Sequence, residues 1–129
     1  MPAAAKLITG VVDDQLTMRS LVQTCLNQIG VVDVRTFPEA GVALEKLRVQ
    51  PVHVLLSDFN MPGMDGLELL RAVRAEAHFS KMAFILITGR ADKELVQKAI
   101  QLGANNYLVK PFTSAQLKQK IEQVVGPLT

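Results

Sequence analysis

Val52-His53-Val54-Leu55-Leu56-Ser57-Asp58-Phe59-Asn60-Met61-Pro62-Gly63-Met64-Asp65-Gly66-Leu67 decides the fold. It opens on an apolar run, Val52 to Leu56, of the length and composition of a strand buried on both faces. Turn-forming residues fill Ser57 to Gly66. Asp65, with Glu68 three residues on, makes a capping box with Asp in place of Ser or Thr, ahead of a helix carrying Leu67, Leu70 and Val73. Strand, loop and helix in that order are half of a parallel crossover unit, and Asp58 stands at the junction.

The same unit recurs on both sides of this stretch. Leu7 to Val12 runs into Asp13-Asp14, after which Met18, Leu21, Val22, Cys25 and Ile29 recur at three- and four-residue spacing and predict an amphipathic helix over 16–29, closed by Gly30. A short strand, Asp33 to Phe37, follows. Pro38 is then expected to open a second helix, as Pro is tolerated in a first turn, with Ala40, Ala43, Leu44 and Leu47 inward and an end before Pro51. Further on, Ala83 to Ile87 runs into Thr88, and a helix near Asp92 to Leu102 stops at Gly103. Asn106 to Val109 runs into Lys110, and a last helix from Thr113 to Val125 shows Leu117, Ile121, Val124 and Val125 on one face before Gly126-Pro127.

Strand ends at 14, 37, 58, 88 and 110 lie 21 to 30 residues apart. That interval holds a crossover helix and is too long for a hairpin, so the sheet should be parallel. The expected class is α/β, a doubly wound five-stranded parallel sheet with helices on both faces and residues 1–129 as one domain. Any ligand belongs outside the carboxyl ends of the strands, at a switch point in their order.

Composition narrows the class of function. The chain has 129 residues, 49% of them apolar and 20% charged, which fits a compact globule and excludes disorder. The single cysteine, Cys25, forms no internal disulfide and reads as a small core residue in a reducing compartment. No apolar run approaches the ~20 residues of a membrane span, and Met-Pro-Ala-Ala-Ala-Lys is not a signal peptide. A cytoplasmic protein without membrane contact is expected. Net charge is only +2, too little to imply nucleic acid. It is uneven, however: residues 1–80 carry 7 basic and 9 acidic side chains, whereas residues 81–129 carry 7 and 3. That second half is either an ordinary solvated surface or a docking face for an acidic partner.

Asp13, Asp14, Asp58, Thr88 and Lys110 all follow apolar runs, so folding should bring them to one edge of the sheet. Like charges a few ångströms apart raise one another's pKa unless a cation intervenes. The three acids offer oxygen only, which suits Mg2+. His53 and His78 have no partner at zinc-ligand spacing and read as strand or loop surface. Asp58 stands alone at its strand end, so one oxygen can hold a metal while the other attacks phosphorus. Lys110 would neutralise phosphoryl charge and Thr88 would donate a hydroxyl hydrogen bond. Gly89 leaves a path to the phosphate.

Asp13-Asp14, Asp58, Thr88 and Lys110-Pro111 in this order resemble the receiver domain of two-component response regulators over essentially the whole chain. Within that family the stretches Thr17-Met18-Arg19, Ser57 to Leu70 and Gly103 to Thr113 are most similar to single-domain chemotaxis regulators of the CheY type. The resemblance implies the flavodoxin-like strand order 2-1-3-4-5. It implies that Asp58 takes a phosphoryl group from a sensor histidine kinase, and that Asp14, Asp58 and the Asn60 backbone carbonyl ligate Mg2+, with Asp13 acting through water. It implies a Lys110–phosphoryl pair, a cis Lys110-Pro111 bond, and a switch in which Thr88 moves inward and Tyr107 fills the vacated space. By the same likeness the partner face is built on the fourth helix, fifth strand and fifth helix. It carries Lys93, Lys98, Tyr107, Lys118 and Lys120, and would meet a flagellar motor switch protein or a phosphatase, with the protein a monomer.

Three departures from the family pattern stand out: Thr9-Gly10 in the first strand, Gln15 after the acid pair, and Arg90. Thr9-Gly10 replaces bulky apolar residues, which points to a weaker first strand or one closely approached by a neighbour. Arg90 lies where the family tunes phosphate lifetime and could hold the phosphate, whereas Asn60 favours quick hydrolysis. A phosphate sink and a receiver cut from a longer regulator remain alternative readings. A flavin-binding domain of this fold would need a Ser-, Thr- and Gly-rich loop where Asp13-Asp14 stand. A phosphatase of the haloacid dehalogenase type would want an acid where Asn60 stands.

Overall fold

Each apolar run becomes a strand and each amphipathic stretch a helix in the computed structural model, which describes residues 2–90 and 92–129. The strands are β1 (Ile8–Val12), β2 (Asp33–Phe37), β3 (Val54–Asp58), β4 (Ala83–Thr88) and β5 (Asn106–Val109). The helices are α1 (Leu16–Gln28), α2 (Ala40–Val49), α3 (Gly66–Ala75), α4 (Lys93–Gln101) and α5 (Ser114–Val125), with 3-10 turns at Ala4–Lys6 and Ala77–Phe79. All strand pairs are parallel and the order is β2-β1-β3-β4-β5, as expected. No described helix is long and apolar enough to cross a membrane.

Strand position in the sheet explains strand composition. β3 and β4 are buried at every residue and are apolar up to Leu56 and Ile87, because helices cover both faces; the polar residues at their carboxyl ends, Ser57, Asp58 and Thr88, are buried too. One core lies between the sheet and α2, α3 and α4, built around Phe37, Leu47, Leu70, Phe84 and Leu86. The other lies between the sheet and α1 and α5, built around Val11, Leu26, Ile85, Leu117 and Ile121. Cys25 is buried in this second core.

The oddity of Thr9-Gly10 has a packing cause. A Cβ on Gly10 would sit 2.9 Å from Leu55 Cδ1 and 3.2 Å from Phe37 Cε2, so the neighbouring side chains occupy the space a larger residue would need. Thr9 is buried and its hydroxyl donates to the Asp33 carbonyl at 3.2 Å.

Several expected boundaries move. Pro38 does not open α2; Glu39 is its N-cap and Pro38 lies outside the helix. β3 begins at Val54 rather than Val52 and extends through Ser57 and Asp58, which pair with Leu86 and Ile87 of β4. Asp92 and Thr113 are caps rather than helical residues: Asp92 Oδ1 accepts from the amides of Glu94 and Leu95, and Thr113 forms a capping box with Gln116. The Asp65–Glu68 capping box forms as expected, and the helix it opens also buries Leu69. Gly30 follows α1 with φ +96 and Gly103 follows α4 with φ +106, the left-handed backbone that ends a helix at glycine.

Candidate metal and phosphoryl site

The carboxyl ends of β1, β3, β4 and β5 deliver Asp13, Asp58, Thr88 and Lys110 to one edge because these strands are parallel and in register. Carboxylate oxygens of Asp13, Asp14 and Asp58 all lie within 4.8 Å of one another. Asp13 is 4% exposed and Asp58 5%, while Asp14 is open to solvent. Lys110 Nζ lies 2.6 Å from Asp58 Oδ1. The bond from Lys110 to Pro111 is cis, and the Lys110 amide donates to the Thr88 carbonyl at 2.8 Å, extending the ladder one residue past β5.

Burial raises the Asp13 carboxyl above its ordinary value; the Gln15 amide opposes this by donating to Asp13 Oδ1 at 2.9 Å, and Asp58 adds to it. Lys110 pulls in the lowering direction and Asp14 in the raising one. A concentration of negative charge that one ammonium does not balance is suited to a hard divalent cation. Among the described residues the donor set is three carboxylates with no nitrogen or sulfur, which matches that ion class. Asn60 lies exposed two residues past Asp58, in the loop that follows β3.

Thr88 is 2% exposed, and its Oγ1 accepts from the Arg90 amide at 3.1 Å, leaving the hydroxyl proton available to a phosphoryl oxygen. The Arg90 guanidinium is held by Asp92 at 2.7 Å. The residue singled out for phosphate lifetime is therefore engaged with the N-cap of α4.

Tyr107 is half-buried on the edge strand β5, packed against the core that contains α4, and Lys120 Nζ sits 4.4 Å from its ring centroid. This cation–π contact joins two residues read separately from the sequence. Lys93 and Lys98 are exposed on α4, and Lys118 and Lys120 are half-buried on α5.

Sequence reading missed two supports of the site. Arg19 Nη1 donates to the Asp13 carbonyl at 2.7 Å, tying α1 to the acidic loop. Gly66 is the other: a Cβ there would fall 2.5 Å from the Asp58 carbonyl oxygen and 2.9 Å from Phe59 Cα. Glycine thus lets α3 start directly against the loop that follows Asp58, and the Gly66 amide closes that loop on the Phe59 carbonyl at 2.9 Å. The signal for Gly66 was its place after the helix cap; for Arg19 there was none beyond the family likeness.

The acidic cluster at the carboxyl edge of this parallel sheet falls within residues 10–122, which match the family model for the response regulator receiver domain. The chain belongs to that family, whose members bind Mg2+ at such a cluster. It is 44% identical over 128 residues to a probable chemotaxis protein CheY of Rhizobium etli, covering 99% of each chain. It is 42% identical over 117 residues to chemotaxis protein CheY1 of Helicobacter pylori, covering 90% of this chain and 94% of that one. Among solved structures, chemotaxis protein CheY4 of Vibrio cholerae superposes with a TM-score of 0.85 at 30% identity, covering 96% of this chain and 99% of that one.

Proposed function

We propose that the chain is a phosphorylation-dependent switch that accepts a phosphoryl group on Asp58 from a sensor histidine kinase and then binds a chemotaxis partner, such as a flagellar motor switch protein, through α4, β5 and α5. The observation that carries this reading is the buried Asp58 carboxylate with Lys110 at 2.6 Å and two further acids within 4.8 Å. The chemotaxis output is supported by the relatives named above, two of them of nearly the same span as this chain.

One Asp58 oxygen attacks the phosphorus of a phosphohistidine, the P–N bond breaks with its electron pair going to the imidazole, and an acyl phosphate remains on Asp58. Asp13, Asp14, Asp58 and the Asn60 carbonyl would hold Mg2+, which supplies charge neutralisation at the phosphoryl oxygens. Lys110 neutralises further charge once its ammonium passes from Asp58 Oδ1 to the phosphoryl group. Thr88 donates its hydroxyl to a phosphoryl oxygen, and its displacement toward the site biases Tyr107, the ring under Lys120. Two packings of the same side chains then differ in affinity for the partner. The protein catalyses only its own phosphorylation and hydrolysis.

Intact-mass measurement after incubation with Mg2+ and acetyl phosphate tests the assignment: wild type gains one phosphoryl group and Asp58→Ala gains none. Modification that persists in Asp58→Ala would overturn it. Capture of a motor switch protein by beryllofluoride-treated protein, and not by untreated protein, separates a switch from a phosphate sink.

A further inference from the structure

At the opposite pole from the acids, where the strands begin, lies a cavity of about 710 Å³. Small-molecule sites occupy roughly 300–1,000 Å³. Its floor is apolar, with Leu7, Val52, Phe79 and Met82 buried beneath it. Among the described residues its charged and titratable lining comes from Lys6, His53, Arg74, His78 and Lys81, with no Asp or Glu. Both histidines of the chain are in this wall. The carboxylate recorded nearest to one of them, Glu76 at 3.6 Å from His78 Nε2, is not part of the lining and is held in a two-pronged pair by Arg48.

Two side chains of the wall are fixed in place. The Ile8 amide donates to His53 Nδ1 at 2.9 Å. That bond assigns the imidazole proton to Nε2, which remains a donor. Arg74 is half-buried and donates to four neutral acceptors: its Nε to the Gly103 carbonyl, its Nη1 to the carbonyls of Phe79 and Met82, and its Nη2 to Asn105 Oδ1. Its hydrogen bonds are met, but its charge has no carboxylate partner among the described residues, and burial lowers its pKa. Charge of one sign over a low-dielectric floor concentrates the field inside the cavity.

We infer that this cavity is a binding site for a small organic anion, an apolar body carrying a sulfonate, carboxylate or phosphate group, with the body on Leu7, Val52, Phe79 and Met82 and the anion facing Lys6, Lys81 and His53. The site lies apart from the acidic edge and is independent of Asp58 phosphorylation chemistry.

The probe is 1-anilinonaphthalene-8-sulfonate, with uncharged N-phenyl-1-naphthylamine as its neutral counterpart. In fluorescence titrations of the folded protein the sulfonate binds saturably at one site. In amide NMR it moves the resonances of Val52, His53, Phe79, Lys81 and Met82. Lys6→Ala/Lys81→Ala, which removes two exposed cations without touching the buried floor, weakens binding by about tenfold or more. Lys46→Ala/Arg71→Ala removes the same charge from exposed positions elsewhere and leaves the affinity unchanged. Absence of saturable binding, equal affinity for the neutral compound, equal loss in both double variants, or shifts centred outside this cavity would each overturn the inference. Failure of Asp58 to accept phosphate would not bear on it.

Discussion

Among the described residues Lys110 is the one cation in direct contact with Asp58, and it pairs with neither Asp13 nor Asp14. Lys110→Ala should therefore leave the oxygen donors intact and bind Mg2+ by calorimetric titration with affinity no weaker than wild type, while its beryllofluoride complex fails to capture the partner. A lost Mg2+ isotherm would mean that the ammonium orders the acids rather than the phosphoryl group. Asp13 carries the opposite liability. Its raised pKa means that the folded form keeps its proton to higher pH than the unfolded chain, so stability of the metal-free protein falls as pH rises from 3.8 through the raised value and stays reduced above it. Asp13→Asn should accordingly melt higher than wild type at neutral pH without divalent ions. The difference should vanish well below pH 3.8, where both folded and unfolded Asp13 are protonated, and shrink when Mg2+ is added to wild type; a difference that persists in strong acid would contradict this account. These residues were legible because each ends or directly follows an apolar run. Arg19 on the Asp13 carbonyl and Lys120 over Tyr107 were not, since both contacts join separate elements and neither residue type is unusual on a helix.

Helix ends do much to place the site; the Asp65–Glu68 box is legible in the sequence, whereas the caps Asp92 and Thr113 fall inside the helices expected there. α5 carries no basic residue in its last turn and no acid in its first, so its start depends on the Thr113–Gln116 box, with bonds of 3.1 and 2.9 Å. Thr113→Ala should cost about 1 kcal/mol in urea denaturation, and Thr113→Ser should recover most of it; equal loss in both would assign the effect to the threonine methyl group. Capping motifs are short-range, so they can be read from a few neighbouring letters. Strand limits are set by pairing with other strands, which explains why β3 shifted toward Asp58 when its ladder with β4 was seen. Pro38 was misplaced for a related reason: a proline suited to a first turn is equally suited to the extended residues before a cap, and nothing local chooses between them.

Across the whole molecule, sheet order was legible only through family likeness, because strand-helix alternation implies parallel crossovers without saying which strand lies next to which. The five strands divide the interior into two cores that share no side chain. Side chains alternate along a strand. Leu86 pairs in register with Tyr107, and both pack on the α2–α3–α4 side; Thr88, two residues beyond Leu86, shares that orientation. Beryllofluoride should therefore shift amide and methyl resonances of Leu95, Ala99 and Tyr107 while leaving the methyls of Leu26, Leu117 and Ile121 at their original positions; comparable shifts in both groups would show that the two layers move together. In the proposed switch the sheet backbone between them would act as an insulating wall, separating a half that reorganises with each cycle from one that keeps its packing and brings the domain back to its starting shape.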